Sequence, residues 1–315
     1  MLTWFPSPYP DELFYSVLCR YYLSSGIKEH YLVMKQLFGN RVGIKMATLY
    51  PNAAVHAVLS QLPEGVFDGR NVILHHTPFA YYTRMYPATE REALLNDLLQ
   101  GRGKTPTHLW RTFPKEDYAL RYCPLCIQED TQIYGEPYYH VEHQIPLSSV
   151  CVRHRCRLKQ IDVDNPRVSM NNCFFPLSTM EIDRETDMDV TPAELRVSEL
   201  VREYWRLPAS ISPPACNNLY QPLLNSGYMT IVRQNGLNID KAKLYTALCD
   251  YHGAETVAKR FGASITTSMM NRIKTWEQLL PDRYILIQAM LDLPTKAVFG
   301  PEPIRDNLRE KIERM

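Results

Sequence analysis

Surplus charge of either sign is the first thing this sequence lacks. Its 315 residues carry 35 lysines and arginines against 34 aspartates and glutamates, a formal net charge of +1. Bulk charge therefore marks neither a nucleic-acid binder nor a binder of acidic ligands, and any basic surface has to be local. No run approaches the roughly eighteen apolar residues that a membrane-spanning helix needs, so no membrane contact is expected. The opening M-L-T-W-F-P-S-P-Y-P has neither a basic n-region nor an apolar h-region, so no secretory signal is expected. Phosphate-binding glycine loops, the G-x-S-x-G elbow and the H-E-x-x-H zinc motif are all missing. No nucleophile stands beside a base and no spaced acidic triad is visible. The expectation is no catalytic residue and no enzyme.

What is present is dominated by residues 122–158. Cys123 and Cys126 form a C-x2-C knuckle within Y-C-P-L-C, and after twenty-four residues Cys151 and His154 form a C-x2-H knuckle within C-V-R-H-R-C. Two residues between paired ligands let one tight turn aim both at a single ion, and four soft or borderline donors suit tetrahedral Zn²⁺. The plainer alternative, ordinary buried or disulfide-bonded thiols, suits a secreted chain better than this one. His140, His143 and Cys156 lie in the same window and stay open as substitute ligands. His140 and His143 are assigned instead to hydrogen bonds in a short hairpin that brings the second knuckle back. H-V-E at 140–142 is similar to the H-x-E of nucleobase deaminases, but there P-C-x-x-C follows the H-x-E, whereas here C-x-x-C precedes it. Four protein ligands imply a structural ion. Three cysteine ligands leave five of the eight cysteines unused, an odd number that points to a reducing cytoplasm.

Along the chain, Pro6, Pro8 and Pro10 hold the first residues extended, and Asp11 is expected to open a helix ended by Gly26. Further helices are expected near 29–37 and 53–62, followed by short pieces broken by Pro78 and Pro87. Thr89 with Glu92 is read as a capping box for a helix over 90–100. The acidic run E-I-D-R-E-T-D-M-D at 181–189 reads as a solvated linker. Thr191, Pro192 and Glu194 then start a helix that runs to about Arg206. The last third is read as helical, with a helix over 240–251 ended by Gly253. Residues 254–274 hold two short helices around Gly262, a helix-turn-helix pattern, with a plain helical hairpin as its alternative. The expected fold is mostly α: a helical N-terminal domain at 1–110, a small zinc-ribbon or zinc-finger module with a short β-hairpin at 111–160, an acidic linker and helix at 161–210, and a helical region at 211–315.

Two stretches together resemble the TniQ/TnsD family of transposon target-selection proteins. F-P-S-P-Y-P-D-E-L-F-Y-S matches that family's opening. C-P-L-C, then Y-G-E-P-Y-Y, I-P and C-V-R-H match its zinc finger. L-F-G-N-R at 37–41 is similar to the TnsD branch, whose members are usually longer than this chain. Where the family commonly has Pro after the third ligand and Gly after the His, Val152 and Arg155 stand here, and Cys156 is extra. The resemblance implies a structural zinc on Cys123, Cys126, Cys151 and His154. It also implies a selector that binds an attachment site in double-stranded DNA and recruits the AAA+ ATPase TnsC. The alternative within the family is a TniQ-type adaptor that links a CRISPR effector to TnsC without reading DNA. For the DNA-binding reading, Arg153, Arg155, Arg157 and Lys159 would neutralise phosphates. Lys259, Arg260, Thr266, Thr267, Ser268, Asn271, Arg272 and Lys274 would line the reading hairpin.

Overall fold

The computed structural model describes residues 2, 4–39, 53–62, 67–102, 119–162, 173–214, 217–232, 236–266 and 281–300. The chain divides into two compact units, one of Met1–Tyr82 with Thr89–Trp205, the other of Thr83–Ala88 with Arg206–Met315. Among the described residues helices dominate both, and the strands form three two-stranded antiparallel pairs.

In the first unit, α1 (Phe14–Ser25) buries Phe14, Val17, Leu18 and Tyr21, and ends at Gly26 with φ +68, the left-handed conformation that glycine adopts without a Cβ penalty. The helix does not open at Asp11, as expected, but three residues later. Asp11 itself turns the chain at φ +56, and Glu12 makes an isolated antiparallel bridge to His140. The α2 helix spans His30–Phe38, α3 Ala53–Leu59, α4 Gly69–His75, α5 Phe79–Tyr82 and α6 Ala88–Leu99. Because α6 begins at Ala88, Thr89 lies inside its first turn and caps nothing. Glu92 instead forms a two-pronged ion pair with Arg70, at 2.6 and 2.8 Å.

The metal module follows. Strand β1 (Arg121–Tyr122) pairs with β4 (Lys159–Gln160), closing the module at its base. Between them lie α7 (Pro124–Tyr134), α8 (Val141–Gln144) and the hairpin β2 (Val150–Cys151) with β3 (Cys156–Arg157). The span between the knuckles is therefore helical where a hairpin was expected. Pro124 sits at the first helical position, where it forfeits no hydrogen bond, so the first knuckle doubles as a helix N-terminus. The unit ends with α9 (Pro192–Arg206), started by a reciprocal capping box: Thr191 N–H donates to Glu194 Oε2 at 2.9 Å and Glu194 N–H to Thr191 Oγ1 at 3.2 Å.

In the second unit, Arg84 is fully buried and donates to the carbonyls of Leu207 and Pro208. Helix α10 (Asn217–Asn225) precedes a β-hairpin, β5 (Met229–Val232) with β6 (Gly236–Ile239), in a region expected to be helical. Asp240 then caps α11 (Lys241–His252) by accepting from Lys243 N–H at 3.0 Å. Among the described residues the helices α12 (Ala254–Phe261), α13 (Pro281–Met290) and α14 (Thr295–Val298) follow. The first helix of the expected helix-turn-helix is α12. Ser264, Ile265 and Thr266 beyond it are not helical. The rest of the expected second helix, with Thr267, Ser268, Asn271, Arg272 and Lys274, lies outside the described residues.

Candidate metal centre

Cys123 follows β1 and caps α7, Cys126 lies on the first turn of α7, Cys151 ends β2, and His154 lies in the turn to β3. These four donor atoms all fall within 4.8 Å of one another. His154 Nδ1 is 3.4 Å from the sulfurs of Cys123 and Cys126 and 3.6 Å from that of Cys151, while Cys126 Sγ is 3.7 Å from Cys151 Sγ. With metal–sulfur bonds near 2.3 Å and metal–nitrogen bonds near 2.0–2.1 Å, a tetrahedral zinc ion requires edges of about 3.8 Å between sulfurs and about 3.6 Å from sulfur to nitrogen. The observed separations match these edges, so the residues fit such an ion.

The electrostatics point the same way. The Cys123 thiol is pulled well below its ordinary range by hydrogen bonds from Cys126, Cys151 and Cys156. The neighbouring Cys126 and Cys156 thiols are pushed up by Cys123 beside them and by burial. Thiols buried together in this way make a poor core and a good cation site, because metal binding lets them ionise. On the far side of the imidazole, Glu129 Oε2 lies 3.1 Å from His154 Nε2. The other ring nitrogen, Nδ1, faces the sulfurs and is the one placed to coordinate. The same oxygen holds Arg153 at 3.0 Å.

Cys156 is fully buried, with its sulfur 3.4 Å from Cys123 Sγ, beside the four-atom cluster. Of the two other candidate ligands, His140 Nε2 is 2.9 Å from Asp130 Oδ2, in keeping with its hydrogen-bonding assignment. The fully buried His143 differs: neither of its ring nitrogens has a hydrogen-bond partner among the described residues, and burial pushes its pKa down to about 3.

The module is joined to the N-terminal segment by backbone and side chains alike. Leu13 N–H donates to Tyr139 O at 2.7 Å and Val141 N–H to Asp11 O at 2.9 Å. Arg20, stacked 3.7 Å over the Tyr9 ring, bridges Glu12 at 3.0 Å and Glu136 at 2.7 Å. Glu12 is completely buried, and desolvation outweighs the attraction of Arg20, raising its pKa to about 7. So P-Y-P-D-E of the opening and Y-G-E-P-Y-Y of the module, far apart in sequence, build one polar node.

The cations of the second knuckle are less available than their sequence implies. Arg157 is held by Glu194 at 2.5 and 3.0 Å and by Asp187 at 3.4 Å, and Lys159 by Asp183 at 2.6 Å. The acidic run expected to be a solvated linker thus lies against the module. Arg155, at the position where the family commonly has Gly, is exposed with φ +52 and has no ion-pair partner among the described residues. In the second unit, Lys259 pairs with Glu255 at 2.9 Å on the surface of α12, and Arg260 is 9% exposed against Asp282 at 3.0 Å. No described helix is long and apolar enough to cross a membrane.

The fold is mostly helical and carries a C-x2-C, C-x2-H cluster whose four side chains could hold a metal ion. Residues 3–158, about half of the chain, match the TniQ family. Over 155 residues the chain is 26% identical to the transposon Tn7 transposition protein TnsD of Escherichia coli, a match covering 48% of this chain and 30% of that relative. The chain belongs to the TniQ/TnsD family.

Proposed function

We propose that this chain is a target-site selector of a Tn7-type transposon. It binds attachment-site DNA and recruits the AAA+ ATPase TnsC, with Zn²⁺ on Cys123, Cys126, Cys151 and His154 as a structural ion. The observation that carries this reading is the joining of the two family motifs, opening and metal module, into one node around Glu12, Arg20 and Glu136. With its four protein ligands the ion has no open position for chemistry, so it holds the fold. Arg155 and Arg153, exposed on the second knuckle, are the leading phosphate contacts. Lys259 on α12 would flank the reading element at 254–274, with Thr266, Thr267, Ser268, Asn271, Arg272 and Lys274 towards base edges and phosphates. Arg260, turned onto Asp282, supports the packing of α12 and α13. The exposed Trp4 of the extended opening and Tyr31 and Leu32 of α2 suit a protein partner, and the ATPase is the one proposed.

A second reading, a TniQ-type adaptor between a CRISPR effector and TnsC, is favoured by the pairing of Arg153, Arg157 and Lys159 with carboxylates of the same chain. A pull-down of the zinc-loaded chain with the ATPase encoded beside it, run with a gel shift on candidate attachment-site DNA, separates the two. Sequence-preferring DNA binding together with ATPase capture supports the selector. ATPase capture without DNA binding supports the adaptor, and the absence of both refutes the pair.

A further inference from the structure

The run 181–189 places carboxylates at every second position: Glu181, Asp183, Glu185, Asp187 and Asp189, with Arg184 as its one cation. It has no regular secondary structure and lies along β3 and β4. Two kinds of contact hold it. Its backbone is fixed by Tyr122, whose hydroxyl accepts from Asp183 N–H at 2.9 Å and lies 3.1 Å from Asp183 O, and by Arg157 N–H, which donates to Asp187 O at 2.9 Å. Its carboxylates face the cations after the knuckle: Asp183 pairs with Lys159, and Asp187 lies 3.4 Å from Arg157, which Glu194 outside the run also holds in a two-pronged pair, with Glu185 and Asp189 adding to the field on the same two cations. The side chains of Asp183 and Asp187 are 54% and 44% exposed, and ion pairs this open to solvent exchange at little cost.

We propose that residues 181–189 are an internal polyanion that occupies the cationic face of the second knuckle, and that the phosphate backbone of double-stranded DNA exchanges with its carboxylates there. This rests on the DNA-binding reading above and names its regulation. The strap's backbone stays in place while the side chains swing away, because Tyr122 and the Arg157 amide hold the main chain and not the charges. Non-specific DNA, held by scattered phosphate contacts alone, competes poorly with a tethered anion. A site that adds base contacts competes well. The strap therefore sharpens discrimination and weakens overall affinity.

Asn at 183 and 187 keeps an Oδ1 for the Glu185 and Asp189 amides, which the two aspartates now accept. The test is binding of a non-specific duplex by the full zinc-loaded chain and by D183N/D187N, across a salt series, with zinc content and thermal melt as folding controls. Freeing Lys159 alone adds one phosphate contact, so the double variant should bind with a log–log salt slope steeper by about 0.9 and about fivefold tighter at 0.15 M salt. Wild type and variant binding with equal affinity and slope would overturn the proposal and leave the DNA reading standing. Neither binding, with both folded and zinc-loaded, would overturn the two together. If the double variant fails to fold, D183N alone at the open Lys159 pair carries the same expectation, and an unchanged slope there is equally fatal.

Discussion

Replacing Cys126 with Ser should release the metal and unfold the central module, whereas Cys156→Ser should do neither. The two sulfurs lie in one cluster with Cys123 and Cys151, and among the described residues Leu125 and Leu158 pack against it as partly buried apolar neighbours. Cys126 Sγ faces both Cys151 Sγ and His154 Nδ1, whereas Cys156 touches the set through Cys123 alone. A structural zinc contributes on the order of 10 kcal/mol or more in finger peptides, comparable to the whole stability of a typical domain. With so little apolar area behind the thiols, nothing offsets that loss. Cys156→Ser removes one S–H contact to a buried sulfur, which is worth about 1 kcal/mol. The assay is zinc per chain after gel filtration against a weak chelator, with thermal melts alongside. Because Leu13 and Val141 share the ladder between opening and module, their amides should also lose protection from hydrogen exchange in Cys126→Ser. Cys126→Ser with full zinc and an unchanged melt would refute the metal site. Zinc lost from Cys156→Ser but kept in His154→Ala would move the fourth ligand from the histidine to Cys156.

Three further outcomes are expected. Arg155→Gly relieves a left-handed residue, so the melt should rise by the equivalent of about 1 kcal/mol while the salt slope of DNA binding falls by about 0.9; a lower melt, or an unchanged slope in a chain that binds DNA, contradicts the assignment. Glu12 has a folded pKa of about 7 against an ordinary 4.5, so the folded state binds the proton more tightly. Its contribution is fully present below about pH 4.5 and lost as pH rises through 7, on the order of 3 kcal/mol. His143, pushed down by burial to about 3, tilts the other way, losing stability as pH falls below its ordinary 6.5, so the difference between wild type and Glu12→Gln in urea unfolding at pH 5 and pH 8 isolates the carboxyl; an identical slope in the variant rejects the reading. Asp282→Ala strands the Arg260 guanidinium at a buried pair and should cost roughly 3 kcal/mol, read as a lower urea midpoint; a change under about 0.5 kcal/mol would show that the pair is open to water.

Local signals in the sequence reached the parts of the fold that local chemistry decides. The two knuckles, the Thr191–Pro192–Glu194 helix start and the Asp240-to-Gly253 helix each depend on residues within a turn or two of one another. What was missed depends on partners far along the chain. Asp11 looks like a helix opener until Glu12 is drawn against His140, and Thr89 looks like a cap until Glu92 is taken by Arg70. The run 181–189 looks like a solvated linker because its counter-charges, Lys159 and Arg157, come more than twenty residues earlier. The hairpin of β5 and β6 did leave a local signal, an Asn-Gly pair at 235–236 where one short β-prone run gives way to the next, which the reading of the last third as helical passed over. Arg155 had a signal too, since a position where the family commonly has Gly is where a positive φ is to be sought.

The proposal that the chain chooses where a transposon inserts is tested most directly by mapping insertions by sequencing in cells that hold the transposon ends, its transposase and its ATPase, with and without this chain. Insertions should gather at one attachment site when the chain is present, and be lost from that site in Cys126→Ser. The same distribution of insertions with and without the chain, at equal transposase and ATPase levels, would contradict it.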